Sequence, residues 1–355
     1  MARVVIIGGG LSGLVAAYRL ARARQRVLLV ESQSRLGGQL HTTCSDGYVV
    51  ELGAEGFVAR SEVLPKLARE LGIERDLIGQ STTRSLGYRA GALHELAPGE
   101  AGAFLGFQVS KADLGVGIKT FRRGMGQLSA ALEQRIAGDV ELRPDTRVRH
   151  IEARAKGYEI RGDDGLAVQA DRIVVATSAR TAAELLGPIV GEAARELGQA
   201  TTLSSVTVSL AYPAADVPHP LDATGFVIAT EDQLHGARAC TFTTSKFIER
   251  APSGYVSLRV FLRPTAAEHK TVTDAEFVAR AAEVLKRVLG VTNPALRSWV
   301  SRWPDALPVF DASSQAAVAT LETVLKGSRI TLAGSAFHGA GIDAAVRSAW
   351  SVMDR

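Results

Sequence analysis

The stretch that most constrains this chain is VVIIGGGLSGLVAAYRL, residues 4 to 20. Val4 to Ile7 form a short apolar run, Gly8, Gly10 and Gly13 fit GxGxxG, and Leu14 to Ala23 carry a helical pattern. Arg26 to Val30 then read as a second strand ending at Glu31, which completes a βαβ unit. The three glycines of such a turn serve different ends. Gly8 permits the tight bend, Gly10 lets a pyrophosphate approach the main chain, and Gly13 lets the helix pack on the strand. The helix start, with Ser12 in its first turn, offers unpaired N–H groups and a positive dipole end to phosphates. Glu31, about 20 residues beyond the first glycine, can accept ribose hydroxyls. The pattern predicts a dinucleotide site on an α/β, Rossmann-like domain. Its alternative is a glycine-rich strand–helix turn with no ligand.

Which dinucleotide follows from the next segments. SRLGGQLHTT, residues 34 to 43, places Arg35, Gly37 and Gly38 just after the acid, and ELGAEGF, residues 51 to 57, adds a glycine turn with Gly53 and Ala54. A second glycine pair allows close backbone approach to a pyrophosphate already seated on the first helix, and Arg35 adds charge. NAD would not need it, so FAD is the expected cofactor. Cys44 and Cys240 lie in no covalent flavin-attachment context, so noncovalent binding is expected.

Composition narrows the class further. A length of 355 residues suggests about two domains. With 46% hydrophobic and 22% charged residues, the chain reads as globular rather than disordered or membrane-embedded. The net charge is +4 but the basic residues are scattered, which argues against a nucleic-acid surface. Two isolated cysteines and no His/Cys cluster at ligand spacing point to no metal site and to a reducing, cytoplasmic setting. The opening apolar run is glycine-rich and lacks a cleavage pattern, so it does not read as a signal peptide. No window offers ~18 consecutive apolar residues, so no stable membrane insertion is expected.

The N-terminal stretch resembles flavoproteins of the amine oxidase class, and ELGAEGFVAR followed by LARELGI resembles protoporphyrinogen and coproporphyrinogen oxidases in particular. The likeness resumes at GVGIKTFRRGMGQLSAAL and continues through TGFVI, ACTFTTSKF, SRWPDALPVF and ITLAGSAFHGAGI, in the family's order and over most of the chain. It implies a discontinuous FAD-binding domain from residues 1–85, 117–180 and 313–355, and a smaller, sheet-based α+β substrate domain over 181–312. Strand patterns at Ser205 to Ala211 and Tyr255 to Leu262, with an amphipathic helix from Asp274 to Leu289 that Asp274 would cap, agree with that sheet. A hairpin of YEIRG and LAVQADRIVVAT is predicted at the turn Asp163, Asp164 and Gly165. One departure stands out. The family carries a helical, membrane-attaching region of roughly a hundred residues where this chain has a short connector, 86–116. A more open or differently built pocket and an altered substrate are therefore expected.

The resemblance also supplies site residues. Val148 would offer a backbone contact to the adenine. Gly334 and Ser335 would lie near the ribityl and pyrophosphate, and Gly341 with Ile342 would begin the last helix beneath the ring. Amine oxidases usually place an acid where Ser335 stands. A flavin brings its own electron sink, so the protein need only bind it, aim the substrate and exclude side reactions. His338 is a candidate proton acceptor, against a structural role. Arg84 is a candidate for pairing with a substrate carboxylate, against a surface arginine. Lys246 and Trp303 also fall in family-like segments, with a solvated strand end and a core aromatic as their plainer readings. The expected activity is an FAD-dependent oxidase that moves a hydride from a carbon next to nitrogen of a small-molecule substrate, with dioxygen as acceptor. A genuine porphyrinogen oxidase, an FAD-dependent isomerase and a noncatalytic flavin-binding protein are the alternatives.

Overall fold

The computed structural model describes residues 3–105 and 116–353. Five parallel strands form its first sheet, in the order Ile330–Leu332, Arg172–Val175, Arg3–Ile7, Arg26–Val30 and Val140–Arg143. Both faces of this sheet are buried. Val4, Ile6, Val27 and Leu29 point to one side, where the helices Leu11–Arg22, Gly126–Ile136 and Ile342–Trp350 pack. Val5, Ile7, Leu28 and Val30 point to the other, where the strands Val148–Ala153, Tyr158–Gly162 and Ala167–Ala170 and the helices Ala179–Val190, Glu192–Gly198 and Ala312–Val324 complete the core. That is why these strands read as unbroken apolar runs.

The hairpin expected after residue 157 is corrected in one respect. LAVQADRIVVAT is not one strand: Ala167–Ala170 closes a three-stranded meander with Val148–Ala153 and Tyr158–Gly162, whereas Arg172–Val175 enters the parallel sheet. The switch occurs at Asp171, whose N–H donates to the Arg3 carbonyl at 2.9 Å. Its carboxylate accepts from the Arg3 N–H at 2.7 Å. Two local bonds of this kind let the chain change sheets without leaving main-chain groups unpaired.

A mixed seven-stranded sheet makes the second layer, in the order Arg297–Pro308, Thr202–Pro213, Tyr255–Leu262, Ala237–Phe242, Gly225–Ile228, Leu86–Arg89 and Ala92–Glu95. The span 86–116, expected as a plain connector, thus contributes the last two strands of the sheet, Ala92–Glu95 forming its edge; its residues 106–115 lie outside the described ones. One face of the sheet is apolar: Val206, Val208, Leu210, Leu258, Val260 and Leu262 pack on Phe277, Ala281, Val284 and Leu285 of the helix Asp274–Leu289. The intervening residues Thr207, Ser209, Thr241, Ser257 and Arg259 are polar and yet buried. They form the opposite face.

The helix Asp274–Leu289 is capped by Thr273, not by Asp274. The Thr273 hydroxyl accepts from the Glu276 N–H and the Glu276 carboxylate returns to the Thr273 N–H, a reciprocal capping box. Asp274 sits in the first turn, where its charge meets the positive end of the helix. Among the described residues no helix is long and apolar enough to cross a membrane.

Candidate active site

The first glycine turn is shaped by close approach rather than by flexibility alone. A Cβ on Gly13 would lie 1.8 Å from the Gly8 carbonyl oxygen, and one on Gly8, whose φ is +104°, would lie 2.5 Å from the Ala176 oxygen. Gly10 differs: a Cβ there would meet nothing nearer than the Gly38 Cα at 3.9 Å. It is also the N-cap of the Leu11–Arg22 helix, with no side chain capping the turn. The geometry therefore leaves space and uncapped N–H groups at the positive end of a 12-residue helix. Glu31 is already oriented, one carboxylate oxygen accepting from the Gly9 N–H at 2.7 Å and the other from the Gln33 N–H at 2.8 Å.

The second glycine pair closes over the first. Gly37 donates to the Gly9 carbonyl at 2.8 Å and bridges to Gly10, while Gly37 and Gly38 take φ values of +92° and +55°. Arg35 is held against the same loop. Its guanidinium donates to the carbonyls of Leu36, Leu40 and Gly38 at 2.7, 3.1 and 2.5 Å, which braces the loop. Burial lowers its pKa. Ala54 donates to the Gln39 carbonyl at 2.9 Å, which seats the Gly53–Ala54 turn against the same loop, and Trp303 Nε1 donates to the Leu52 carbonyl at 2.7 Å. Val148 begins its strand two residues after Thr146, which donates to the Glu31 carbonyl at 2.8 Å.

The C-terminal turn reaches this cradle from the far end of the chain. Ser12 Oγ donates to the Ala345 carbonyl at 3.3 Å, and a Cβ on Gly334 would lie 3.3 Å from that hydroxyl. Gly341, at φ +96°, is the N-cap of the helix Ile342–Trp350 and has open space beside it. Ser335 opens a four-residue helical turn ending at His338. Both nitrogens of His338 are engaged: Nδ1 lies 2.6 Å from Ser348 Oγ and Nε2 2.8 Å from Glu322 Oε1. Ser348 Oγ in turn accepts the Gly334 N–H at 2.9 Å. The ring expected as a proton acceptor instead holds the Gly334 turn through Ser348.

Arg84 is likewise occupied. Its Nε pairs with Glu95 at 2.9 Å and its Nη1 with Asp222 at 2.5 Å on an exposed edge of the large sheet, so two acids of this chain already neutralise it. Lys246 departs from its plainer reading as a solvated strand end. It is 8% exposed and meets Glu55 at 2.9 Å. Burial pushes Glu55 up, but Lys246 and then Arg259 outweigh it and hold the carboxyl below its ordinary range. Glu51 goes the other way, to about 7, because burial dominates over its bonds from Thr42 and Met125. Burial, then Glu55, raises the Cys240 thiol, which favours its protonated form; Cys44 is exposed.

Sequence reasoning missed Glu51, Glu55, Arg250, Arg259 and Ser348. For Arg259 a signal existed: in YVSLRVFL it is a charged residue inside a strand whose alternate positions are all apolar. Ser348 and Glu51 gave none, because their partners lie outside the same element, beyond the few positions over which local spacing can be read.

The sequence profile of the flavin containing amine oxidoreductases matches residues 11–106 and 90–354. The chain belongs to that family. It is 23% identical to the coproporphyrinogen III oxidase of Bacillus subtilis (strain 168), with 96% of this chain and 94% of that protein covered. That alignment runs over 447 positions, more than the 355 residues present here, so the relative carries insertions this chain lacks. A candidate protoporphyrinogen oxidase from Exiguobacterium sp. 255-15 superposes with a TM-score of 0.85 at 23% identity, covering 99% of this chain and 98% of that one. Reduced UDP-galactopyranose mutase superposes at 0.80 with 12% identity, covering 100% and 95%. These likenesses agree with the α/β fold, and the family membership makes the chain a flavin-dependent oxidoreductase.

Proposed function

We propose that this chain is an oxidase that binds FAD noncovalently and removes a hydride from a substrate carbon adjacent to nitrogen, with dioxygen as the final acceptor. The observation that carries the reading is the double glycine cradle: Gly10, without a Cβ and at an uncapped helix start, lies against Gly37 and Gly38, with the Glu31 carboxylate fixed beside it. Two such loops suit one pyrophosphate, and Glu31 suits a ribose. The Gly334–Ser335 and Gly341–Ile342 turns would hold the rest of the cofactor, with the last helix presenting its N-terminus to the ring. FAD supplies the electron sink; the chain's own contribution is to bind, orient and keep water out. On this reading residues 1–85, 117–180 and 313–355 bind the cofactor and 181–312, joined by the 86–95 strands, meets the substrate.

The test is anaerobic. The purified holoprotein is expected to be yellow, to release FAD on denaturation, and to bleach with one of a panel of cyclic amines and porphyrinogens, then form hydrogen peroxide in step with substrate loss when air is admitted. Retention of FAD with no bleaching by any of these would sink the oxidase reading. A second reading, a genuine coproporphyrinogen oxidase, is favoured by the 96% of the chain that aligns with the Bacillus subtilis enzyme. Rapid porphyrin fluorescence from coproporphyrinogen at low enzyme would select it.

A further inference from the structure

Three side chains from three elements form a line that ends on the main chain of the C-terminal turn. Glu322, in the helix Ala312–Val324, places Oε1 2.8 Å from His338 Nε2; His338 Nδ1 lies 2.6 Å from the hydroxyl of Ser348, in the helix Ile342–Trp350; and that hydroxyl accepts the Gly334 N–H at 2.9 Å. The partners fix where the protons sit. A carboxylate faces Nε2, so that nitrogen carries the proton of the neutral ring and Nδ1 is an acceptor. Ser348 accepts from Gly334 and donates its one proton to Nδ1. The three donors therefore point the same way, from Gly334 through Ser348 and His338 to Glu322, and bonds so aligned polarise one another.

Acid, imidazole and hydroxyl in this order also make the arrangement that activates a serine nucleophile. Ser348 is 3% exposed and its oxygen is taken by the main chain, so it is held away from any reacting atom. What the line does is hold one point of backbone. A Cβ on Gly334 would lie 3.3 Å from Ser12 Oγ, and Ser12 donates to the Ala345 carbonyl at 3.3 Å. The held point therefore lies against the first turn of the helix Leu11–Arg22, whose start no side chain caps and beside whose N-cap, Gly10, the second glycine loop sits. The other end is open to water, the Glu322 side chain being 41% exposed. The line thus runs from the surface to the glycine cradle.

We propose that Glu322, His338 and Ser348 are positioning residues for the cofactor: together they fix the Gly334 turn beside the pyrophosphate seat, and the strength of FAD binding depends on the line being unbroken. The assignment rests on the FAD reading above. A turn already held in place loses less freedom when the ligand arrives, and the difference appears as affinity.

FAD titration of the full chain, read by the change in flavin fluorescence, tests this without turnover. His338→Leu, which carries neither donor nor acceptor, should bind FAD roughly tenfold more weakly, the upper size of one lost hydrogen bond, and Ser348→Ala should lose as much. His338→Gln should stay within about threefold of the native chain, because an amide offers one acceptor and one donor as the neutral ring does. The double variant His338→Leu, Ser348→Ala should bind about as tightly as Ser348→Ala alone, since members of one hydrogen-bonded line do not add. Rescue by glutamine and the missing additivity are effects that a general loss of packing does not produce. Native FAD affinity in either single variant overturns the assignment. So does a His338→Gln chain as weak as His338→Leu, or a double variant weakened about a hundredfold, the sum of independent losses. Should these chains fail to fold, the exposed end decides: Glu322→Leu should lose about threefold to tenfold and Glu322→Gln less, and native affinity in Glu322→Leu overturns the assignment. A native chain that refuses added FAD overturns the flavin reading and this assignment together, whereas the preceding outcomes overturn the assignment alone.

Discussion

The two large sheets of this protein use their faces differently. In the parallel sheet both sides are apolar, one covered by helices and the other by the three-stranded meander together with helices, so each strand serves packing. In the seven-stranded sheet one side packs on the helix Asp274–Leu289, while the other buries Thr207, Ser209, Thr241, Ser257 and Arg259. Burying hydroxyls and a guanidinium is unfavourable unless they gain partners. The first sheet is therefore a scaffold, and the groups proposed to hold the cofactor sit at strand ends, in the glycine turns. The second buries polar side chains on the sheet surface itself, where their stability depends on the partners that folding supplies.

The comparison breaks most readily at the buried pair. Lys246→Met leaves Glu55 without its cation and is expected to cost about 3–5 kcal/mol in urea denaturation. The double variant Lys246→Met, Glu55→Leu should recover most of that, and failure to recover would mean that the polar face is not governed by paired charge. On the scaffold side, Gly13→Ala places a methyl within 1.8 Å of the Gly8 oxygen. It should cost about 3 kcal/mol, the upper part of the usual overpacking range, and flavin absorbance relative to protein absorbance should show lost cofactor as well. A stable, yellow Gly13→Ala chain would mean that the turn is not limited by packing.

Glu51 sharpens the contrast through pH. Its carboxyl is raised to about 7 in the folded state, above the 4.5 of an ordinary glutamate. The folded chain therefore binds this proton more tightly than the unfolded chain does. Its contribution is fully present below pH 4.5 and is lost as pH rises through about 7. Stability should fall by roughly 2–3 kcal/mol over that window from this group, and Glu51→Gln should flatten the profile; an identical slope in both chains would assign the dependence elsewhere. The smallest effect concerns the apolar side: Thr273→Ala removes the cap of the packing helix and should cost about 1 kcal/mol, with FAD affinity unchanged. A change in flavin properties there would show that the two faces are coupled.

How much of this was legible depends on chain distance. The turn at Gly8 to Gly13, the strand Tyr255–Leu262 and the extent of the helix Asp274–Leu289 follow from local spacing, and the structure agrees with them. Local pattern misled where two neighbours could serve the same purpose, as with Asp274 and Thr273 at a helix start. It also could not see that Arg35 turns back onto its own loop, that Glu95 and Asp222 occupy Arg84, or that His338 is held between Glu322 and Ser348.

The amino-acid sequence by itself determined the βαβ unit and the two glycine loops, because each depends on residues a few positions apart whose backbone demands glycine meets, and the family, because its short motifs recur in order along the chain. The tertiary structure alone decided which polar groups are satisfied and which are not. Arg259 meets Gly53, 206 residues away, and Lys246 meets Glu55, 191 away. Partnership in a low-dielectric interior is set by what folding brings within hydrogen-bond reach, a property that spacing along the chain does not encode.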